Sequence, residues 1–136
     1  MSDLLIDTHV LLWLNFSPEK LSSNLLEVLE DTHNQIAVSM ISFWEISLKY
    51  QLRKLSLFGV LPQDLLSATR QMGIEISDIA AETFATFFQL PLVAGHQDPF
   101  DRLIIWQCIT QNKTLVSHDR KFQDYQDFGL KILGQQ

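Results

Sequence analysis

The sequence predicts an α/β fold with a central, mostly parallel sheet of about four to five strands flanked by helices. Short apolar runs alternate along the chain with longer segments of helical spacing, an order typical of a parallel sheet covered on both faces. The chain has 136 residues, of which 46% are hydrophobic and 19% charged. That length and balance suit one compact globular domain. We therefore predict a single domain spanning residues 1–136.

The first half of the chain contains two predicted strands and three predicted helices. Residues 4–6 and 36–38 are apolar runs too short for helices and suited to strands buried on both faces. Apolar side chains then recur at near-helical spacing in three segments. These segments comprise residues 10–14, 18–33 and 39–54. Ser17 and Pro18 favour the start of the second helix, as a capping residue and a first helical residue.

The second half continues the alternation with three helices and three strands. The predicted helices are residues 61–73, 78–90 and 98–111, with a loop at residues 91–97 before the last. The predicted strands are residues 74–76, 114–117 and 130–132, the last at an edge of the sheet. Gly73 indicates the end of the first of these helices, and Ser77 is a candidate cap for the second.

Charge and cysteine content restrict the function classes. The chain carries 16 acidic and 10 basic residues, a net charge of −6, which argues against binding nucleic acid by bulk charge alone. The single cysteine, Cys108, excludes an intramolecular disulfide framework and fits a reducing compartment. Acidic residues interrupt the N-terminal apolar run, and no stretch approaches the roughly 20 apolar residues that span a membrane. We expect a cytoplasmic protein without membrane association.

Acidic residues follow the predicted strands. Asp7 comes directly after the first strand and Asp119 shortly after the fourth, whereas Glu45 lies in the helix that follows the second. Asp98 and Asp101 begin the helix leading into the fourth strand. Because ligands of open α/β sheets bind beyond the carboxyl ends of the strands, these acids are expected to converge there.

A cluster of carboxylates indicates a hard divalent cation. Packed carboxylates repel one another unless a positive charge neutralises them, and Mg²⁺ and Mn²⁺ prefer oxygen ligands. Such an ion generates hydroxide from bound water and stabilises charge on a phosphoryl oxygen. No Ser-His-Asp order or Cys-His pair is evident, so the acids favour metal-assisted phosphodiester hydrolysis.

Four motifs resemble those of PIN-domain ribonucleases, and most closely the VapC-like toxins of bacterial toxin–antitoxin systems. The motifs are LLIDTHVLLW (4–13), SMISFWEISLK (39–49), HQDPFDRLII (96–105) and TLVSHDRKF (114–122). Each alone is modest, but the four in this order extend the resemblance from Leu4 to about Ile132. The resemblance implies a PIN-like domain and a Mg²⁺-dependent endoribonuclease, with Mn²⁺ as the alternative ion. It further implies an RNA substrate, a homodimer and silencing by a small antitoxin protein.

The family's acidic residues carry over to positions of this chain. Its first acid matches Asp7, its helix acid Glu45, its third acid Asp101 and its last acid Asp119, whereas Asp98 is the extra acid of the DPFDR variant. The resemblance implies that Asp7 and Asp101 are the primary metal ligands, that Glu45 and Asp119 complete the set, and that Asp98 is an additional ligand.

Two departures and three accessory residues qualify the match. Gln97 stands where this branch commonly has arginine, which puts a substrate contact in doubt, whereas Ser117 is compatible with the small residue that the family has two positions before its last acid. We expect Thr8, Arg102 and Lys49 to position the substrate or the acids. Arg102 alternatively pairs with a neighbouring acid.

Each acid also has a structural interpretation. Asp98 before Pro99 is a good helix cap, and Asp119 is a candidate cap for the segment after it. Asp101 and Glu45 are candidates for capping boxes, Glu45 with the serine three residues earlier. Asp7, at the end of an apolar strand, needs a partner or an ion.

The histidines and aromatic residues are open to two interpretations as well. Three histidines near the acids suit either ligand positioning or the surface; they are His9, His96 and His118. Three tryptophans suit core or interface packing better than base stacking; they are Trp13, Trp44 and Trp106. Phe84, Phe87 and Phe88 are expected in the core, with a dimer interface as the alternative. Lys49 and Arg53 continue the helix face of Glu45, either toward phosphate or as a solvated face.

Two other function classes remain open from the sequence. A non-catalytic PIN-like module would use the acidic pocket to receive a basic partner peptide. A phospho-acceptor receiver domain would place an acid pair at the first strand and a lysine after the last. Here Asp3 and Asp7 flank the first strand and Lys131 lies within the last, so the receiver pattern does not fit.

Overall fold

The computed structural model describes residues 3–134 and contains one sheet of five parallel strands in the order β3-β2-β1-β4-β5. The strands are β1 (Asp3–Ile6), β2 (Gln35–Ser39), β3 (Glu75–Ser77), β4 (Thr114–Ser117) and β5 (Lys131–Gly134). The predicted α/β architecture is therefore confirmed, with every strand pair parallel. The predicted domain bounds, 1–136, include terminal residues that lie outside the described ones.

Within residues 3–134, six helices and three 3₁₀ segments connect the strands. The helices are α1 (Thr8–Phe16), α2 (Ser23–Glu30), α3 (Met40–Gln51), α4 (Pro62–Gln71), α5 (Ala81–Ala85) and α6 (Pro99–Gln111). The 3₁₀ segments are Pro18–Lys20, Phe87–Gln89 and Arg120–Phe128. No helix within residues 3–134 is long and apolar enough to cross a membrane.

The central strand β1 divides the core into two apolar clusters. Leu4 and Ile6 pack in the cluster on one face of the sheet, and Leu5 packs in the cluster on the other. All three side chains are at most 4% exposed. Burial on both faces explains why β1 is a continuous apolar run and not an alternating one.

The register of the sheet positions the acidic residues. Ile6 pairs with Val38 on one side and with Val116 on the other, so three strands end at the same level. The backbone N–H of Asp7 still donates to the carbonyl of Val116, at 3.0 Å. Side chains that follow these strands therefore meet at one edge of the sheet.

The predicted helix over residues 18–33 is wrong in its first turns. A 3₁₀ segment, Pro18–Lys20, comes first, and Ser17 makes no capping hydrogen bond there. Leu21 then adopts an extended conformation with its side chain buried. The Oγ atom of Ser22 accepts a hydrogen bond from the N–H of Leu25 at 3.2 Å and so begins α2. Burial of one leucine and a better capping residue thus divide the helix.

The predicted helix over residues 78–90 is also wrong. Only α5, Ala81–Ala85, is α-helical, and a 3₁₀ segment follows it. The Thr86 hydroxyl donates to the carbonyl of Glu82 at 2.7 Å, a local bond that competes with helix continuation. Ser77 is not a helix cap, because it ends β3 and its hydroxyl donates to Gln111 Oε1 at 3.1 Å.

The remaining boundaries differ from the prediction by one to three residues. Helix α3 ends at Gln51 instead of residue 54, and α4 ends at Gln71, with Gly73 at a positive φ of 81° just beyond it. Strand β4 has the predicted bounds. Strands β3 and β5 begin one residue later than predicted.

Several aromatic side chains expected in the core are exposed. Trp44 is 59% exposed, Phe84 48% and Phe88 79%. The Trp44 ring meets the Phe100 ring edge to face, with ring centroids 5.1 Å apart. The core expectation for Phe84 and Phe88 is wrong, because Thr83 and Leu90 are the buried side chains of their segment. For Trp44, exposure contradicts the core alternative and not the interface one.

Candidate active site

Asp7 begins the site at the end of the central strand. Its side chain is 4% exposed and caps α1, with Oδ1 accepting a hydrogen bond from the Val10 N–H at 2.8 Å. The other oxygen, Oδ2, accepts from the Ser117 hydroxyl at 2.5 Å. Burial raises the pKa of Asp7, and these two hydrogen bonds oppose that rise. Asp7 is therefore both a helix cap and a buried carboxyl group.

Glu45 reaches the same place from the middle of α3 and is 3% exposed. Its Oε1 accepts a hydrogen bond from the Thr8 hydroxyl at 2.8 Å, and its Oε2 lies 2.5 Å from Lys49 Nζ. The cap of α3 is Ser39, whose Oγ accepts from the Ile41 N–H. The capping-box interpretation of Glu45 is therefore wrong, and its carboxylate faces α1.

Asp98 and Asp101 approach from the start of α6. Asp98 is the helix cap, because its Oδ1 accepts hydrogen bonds from the N–H groups of Phe100 at 2.8 Å and Asp101 at 3.3 Å. The pKa of Asp101 is raised to about 7 by burial, and next by the negative charges of Asp98, Glu45 and Asp7. Acids from three separate parts of the chain are thus close enough to affect one ionisation.

Asp119 lies at the margin of this group. Its Oδ1 accepts a hydrogen bond from the Lys121 N–H at 2.9 Å, and its Oδ2 is 3.5 Å from Lys121 Nζ. Its own N–H donates to Ser117 Oγ at 3.0 Å, and the Ser117 hydroxyl in turn donates to Asp7. Asp119 is thereby joined to Asp7 through one serine, while its carboxylate caps the 3₁₀ segment Arg120–Phe128.

Lys49 supplies positive charge inside the cluster. Burial works to lower its pKa, but the hydrogen bond and charge of Glu45, together with Asp98 and Asp101, raise the pKa overall. The ammonium group is therefore held charged beside the acids. A residue predicted to position substrate is engaged by Glu45 in this structure.

Arg102 holds the loop before α6. Its Nη2 donates to the carbonyls of Leu90 at 2.9 Å and Pro91 at 3.2 Å, and its guanidinium group lies 4.9 Å from the centre of the Phe87 ring. Among residues 3–134, Arg102 forms no ion pair with a carboxylate. The expected pairing of Arg102 with an acid is wrong, because backbone carbonyls take that place.

Two serines contribute more than their sequence positions indicate. Ser117 bridges Asp7 and Asp119, and Ser42 Oγ lies 2.9 Å from the Thr8 hydroxyl that contacts Glu45. Both serines are almost fully buried. The only sequence signal for Ser117 is its place two residues before Asp119, and nothing in the sequence reveals the bond to Asp7, 110 residues away.

The histidines have different surroundings. The rings of His9 and His118 have centroids 5.0 Å apart, and His118 also contacts Trp13 at 4.5 Å. His9 and His118 are close enough to oppose the rise in the pKa of Asp7. His96 lies apart from this pair, with its Nε2 2.9 Å from Asp124 Oδ2.

The donor chemistry of the site suits a hard divalent cation. The converging side chains are carboxylates, which are the ligands that Mg²⁺ and Mn²⁺ prefer. Burial raises the pKa of Asp101, and the negative charges of Asp98, Glu45 and Asp7 raise it further, which a bound cation would oppose. Within residues 3–134, no three acid, histidine or cysteine side chains already have an arrangement that holds an ion. Hydrogen bonds to protein groups engage the carboxylates of Asp7, Glu45 and Asp98 instead.

The five-stranded parallel sheet with acids at its carboxyl edge is typical of metal-dependent nuclease domains. Comparison of the sequence with protein families identifies the one to which the chain belongs. Residues 4–127 match the PIN domain. The match covers most of the chain, so the chain belongs to the PIN domain family.

Particular relatives are similar over nearly the whole chain. Ribonuclease VapC22 of Mycobacterium tuberculosis is 30% identical over 128 residues, which are 92% of this chain and 93% of that protein. A crystal structure of VapBC2 from Rickettsia felis, bound to a DNA fragment from their promoter, contains a chain that matches with a TM-score of 0.72 and 24% identity, covering 98% of this chain and 99% of that one. DNA-bound VapBC from Salmonella typhimurium matches with a TM-score of 0.67 and 17% identity, covering 98% of each chain. The two structures support the fold alone.

Proposed function

We propose that this protein is a Mg²⁺-dependent endoribonuclease that hydrolyses RNA phosphodiester bonds as the toxin of a toxin–antitoxin pair. The observation that carries the proposal is the convergence of Asp7, Glu45, Asp98 and Asp101, expressed in the raised pKa of Asp101. The 30% identity to a ribonuclease supports RNA as the substrate. Mn²⁺ is the alternative ion, because it accepts the same oxygen ligands.

The carboxylate oxygen atoms that do not cap a helix are available to bind the ion. We assign Asp7, Glu45, Asp101 and Asp119 to the metal, with Asp7 and Asp101 as primary ligands. Asp98 uses Oδ1 to cap α6, which leaves Oδ2 for the ion, so capping and ligation are compatible. A divalent cation held by these residues would supply hydroxide from water and would stabilise negative charge on the phosphoryl oxygen.

The neighbouring residues position these acids. The Thr8 hydroxyl orients the Glu45 carboxylate, and Ser117 fixes the rotamer of Asp7 through its hydrogen bond to Oδ2. Lys49 balances the charge of Glu45 and offers a cation beside the acids for a substrate phosphate. Arg102 acts through the backbone of the loop that precedes α6.

The test of the proposal is the substitution Asp7→Asn. Loss of groups that merely support metal ligands costs about 10- to 100-fold in activity, so loss of a primary ligand should reduce Mg²⁺-dependent RNA cleavage by more than about 100-fold. Cleavage of a labelled RNA by the purified variant measures this effect, with circular dichroism to check the fold. The exposed Asp127 has no capping role, so Asp127→Asn is the matched control and should cleave at the wild-type rate. Wild-type activity in Asp7→Asn would show that the assigned site is wrong.

The same substitution distinguishes the toxin from a non-catalytic binding module. A toxin should arrest growth when expressed, and Asp7→Asn should relieve that arrest. A module that only receives a basic peptide would cleave no RNA, so any growth arrest that it causes would not depend on RNA cleavage. The relative that covers this chain is a ribonuclease, which does not favour the non-catalytic alternative.

We further propose a small antitoxin protein and a second copy of this chain as partners. The VapBC structures that share the fold support an antitoxin partner. We also propose that the protein acts in the cytoplasm. Cys108 is 1% exposed, and burial raises its pKa to about 12, so its thiol is unreactive and compatible with a reducing compartment.

A further inference from the structure

A stretch of positive charge lies next to the acid cluster. After Glu45 the next acidic residue is Asp64, and the interval between them contains Lys49, Arg53 and Lys54. The chain as a whole has a net charge of −6. This interval therefore differs in sign from the protein around it.

The interval folds into an open cavity at the end of α3. The cavity has a volume of about 690 Å³ and is lined entirely by residues 50–59, none of which is acidic. Arg53 and Lys54 are exposed and form no ion pair within residues 3–134. We name Tyr50, Arg53, Lys54 and Phe58 the α3 basic surface. Unpaired cations on an acidic protein indicate an anionic partner.

Phe58 is an exposed aromatic residue in a strained backbone conformation. Its φ is 55°, in the left-handed region that bulky residues rarely adopt, and its side chain is 74% exposed. Its ring packs at a tilt against the ring of Phe16, with centroids 5.5 Å apart. Arg53 also has a positive φ, of 58°. Such outliers occur at binding sites, where the surroundings hold them for a functional purpose.

The α3 basic surface is continuous with the site through Lys49. Lys49 contacts Glu45 one turn along α3, and Arg53 and Lys54 follow in the turn that closes the helix, where the Lys54 N–H donates to the carbonyl of Lys49 at 2.8 Å. The six residues from Glu45 to the end of α3 at Gln51 correspond to about 9 Å along the helix. A stacked nucleic-acid strand rises about 3.4 Å per nucleotide, so this distance corresponds to about three nucleotides.

We propose that the α3 basic surface binds single-stranded RNA that extends from the acid cluster, with Arg53 and Lys54 on phosphates and Tyr50 and Phe58 against bases. Cations combined with exposed aromatic rings are typical of single-strand binding. The proposal rests on the proposed ribonuclease function. To that function it adds a binding site for the RNA, which the acid cluster of this acidic protein would otherwise repel.

Direct binding tests this surface without cleavage. The probe is a fluorescein-labelled 12-nucleotide oligo(U), measured by fluorescence anisotropy in EDTA between 50 and 200 mM NaCl, about the range over which phosphate contacts are salt-sensitive. Arg53→Glu/Lys54→Glu should weaken binding by at least about tenfold. It should also reduce the slope of log affinity against log salt by about 1.4, since each phosphate contact of a single strand contributes about 0.7.

The matched control is Arg70→Glu/Lys131→Glu, which changes the net charge equally. Arg70 lies in the last turn of α4 and Lys131 begins β5, so both are near the amino ends of strands, opposite the site. The control should bind within about twofold of wild type. Equal loss in both double variants would show an effect of net charge alone and would overturn the proposal.

Phe58→Asn tests the aromatic contribution. Asparagine tolerates the left-handed conformation, so the variant removes the ring without adding strain. Base stacking is worth about 1–3 kcal/mol, so affinity should fall by about tenfold with the salt slope unchanged. Thermal unfolding verifies that each variant is folded. Unchanged affinity would remove Phe58 from the surface.

Cleavage of the same oligonucleotide by wild-type protein with Mg²⁺ separates this proposal from the proposed function. If wild type cleaves RNA but the Arg53→Glu/Lys54→Glu variant binds like the control, only the surface is wrong. If wild type neither binds nor cleaves RNA, both proposals fail. Binding to phosphatidylserine vesicles without binding to RNA would also overturn the surface as an RNA site.

Discussion

The Asp101 carboxyl group combines partial burial with three acidic neighbours, and its pKa lies at about 7 instead of 3.8. In the unfolded chain the pKa returns to 3.8, so the folded protein binds this proton more tightly. The contribution of Asp101 to stability therefore falls as the pH rises from about 4 to about 7 and stays low above that range. The raised pKa of Asp7 acts in the same direction. In the metal-free protein, the site should thus destabilise the fold at neutral and higher pH.

Substitution Asp101→Asn should stabilise the metal-free protein. Removing the charge should add at least about 1 kcal/mol at pH 8 after allowance for solvent screening, which corresponds to about 3–6 °C in Tm. The gain should be smaller at pH 5, where Asp101 is already protonated in the folded state. Thermal unfolding in EDTA at both pH values measures the difference, with Asp127→Asn as the control. A gain of the same size at both pH values would contradict the assigned titration.

The segment after β3 exposes several large apolar side chains. Helix α5, the 3₁₀ segment Phe87–Gln89 and the loop beyond them place large apolar side chains in solvent. Phe84 is 48% exposed, Phe88 79% and Leu92 89%. Exposed apolar side chains concentrated in one segment are typical of protein interfaces. We therefore assign the proposed homodimer contact to this segment.

Phe88→Ser/Leu92→Ser should convert the dimer to a monomer. Both side chains are largely exposed in the single chain, so their loss removes interface area and little core packing. Sedimentation velocity over a range of concentrations measures the oligomeric state. The control Leu52→Ser/Leu61→Ser removes two exposed leucines from a different segment, the connection between α3 and α4, and should leave the dimer intact. A double variant at Phe88 and Leu92 that remains dimeric would place the interface elsewhere.

Most of the net negative charge of the molecule comes from the acidic residues at the proposed metal site. Four of the 16 acidic residues are the assigned ligands Asp7, Glu45, Asp101 and Asp119, and the other 12 nearly balance the 10 basic residues. The acidity is therefore concentrated at the site proposed to bind a cation. Overall charge no longer argues against an RNA substrate, because RNA affinity would depend on the ion and on local cations.

Mg²⁺ should stabilise the whole fold through this site. A ligand that binds only the folded state adds RT ln(1 + [L]/Kd), which is about 2.7 kcal/mol at about 100 times Kd. The Tm at pH 8 should rise with MgCl₂ relative to NaCl of equal ionic strength. Asp7→Asn should abolish most of the rise, whereas Asp127→Asn should preserve it. Equal shifts in all three proteins would mean that Mg²⁺ acts elsewhere.

Prediction from sequence succeeded where the signal is local. The apolar runs at β1, β2 and β4 identify buried strands, because burial on both faces requires several apolar residues in succession. The helices over residues 18–33 and 78–90 were predicted too long. Their ends depend on the burial of Leu21 and on the hydroxyl of Thr86, which compete with helical spacing.

The sequence by itself determined the parallel α/β architecture and the acids that follow its strands, since both depend on residues adjacent in the chain. Only the tertiary structure decided how these acids interact. The hydrogen bond from Ser117 to Asp7 joins residues 110 positions apart. The raised pKa of Asp101 depends on burial and on charges that include those of Glu45 and Asp7, from two other parts of the chain. It also decided that the Phe58 ring is exposed beside unpaired cations. Hydrogen bonds, electrostatic coupling and exposure all depend on distances that exist only after the chain has folded.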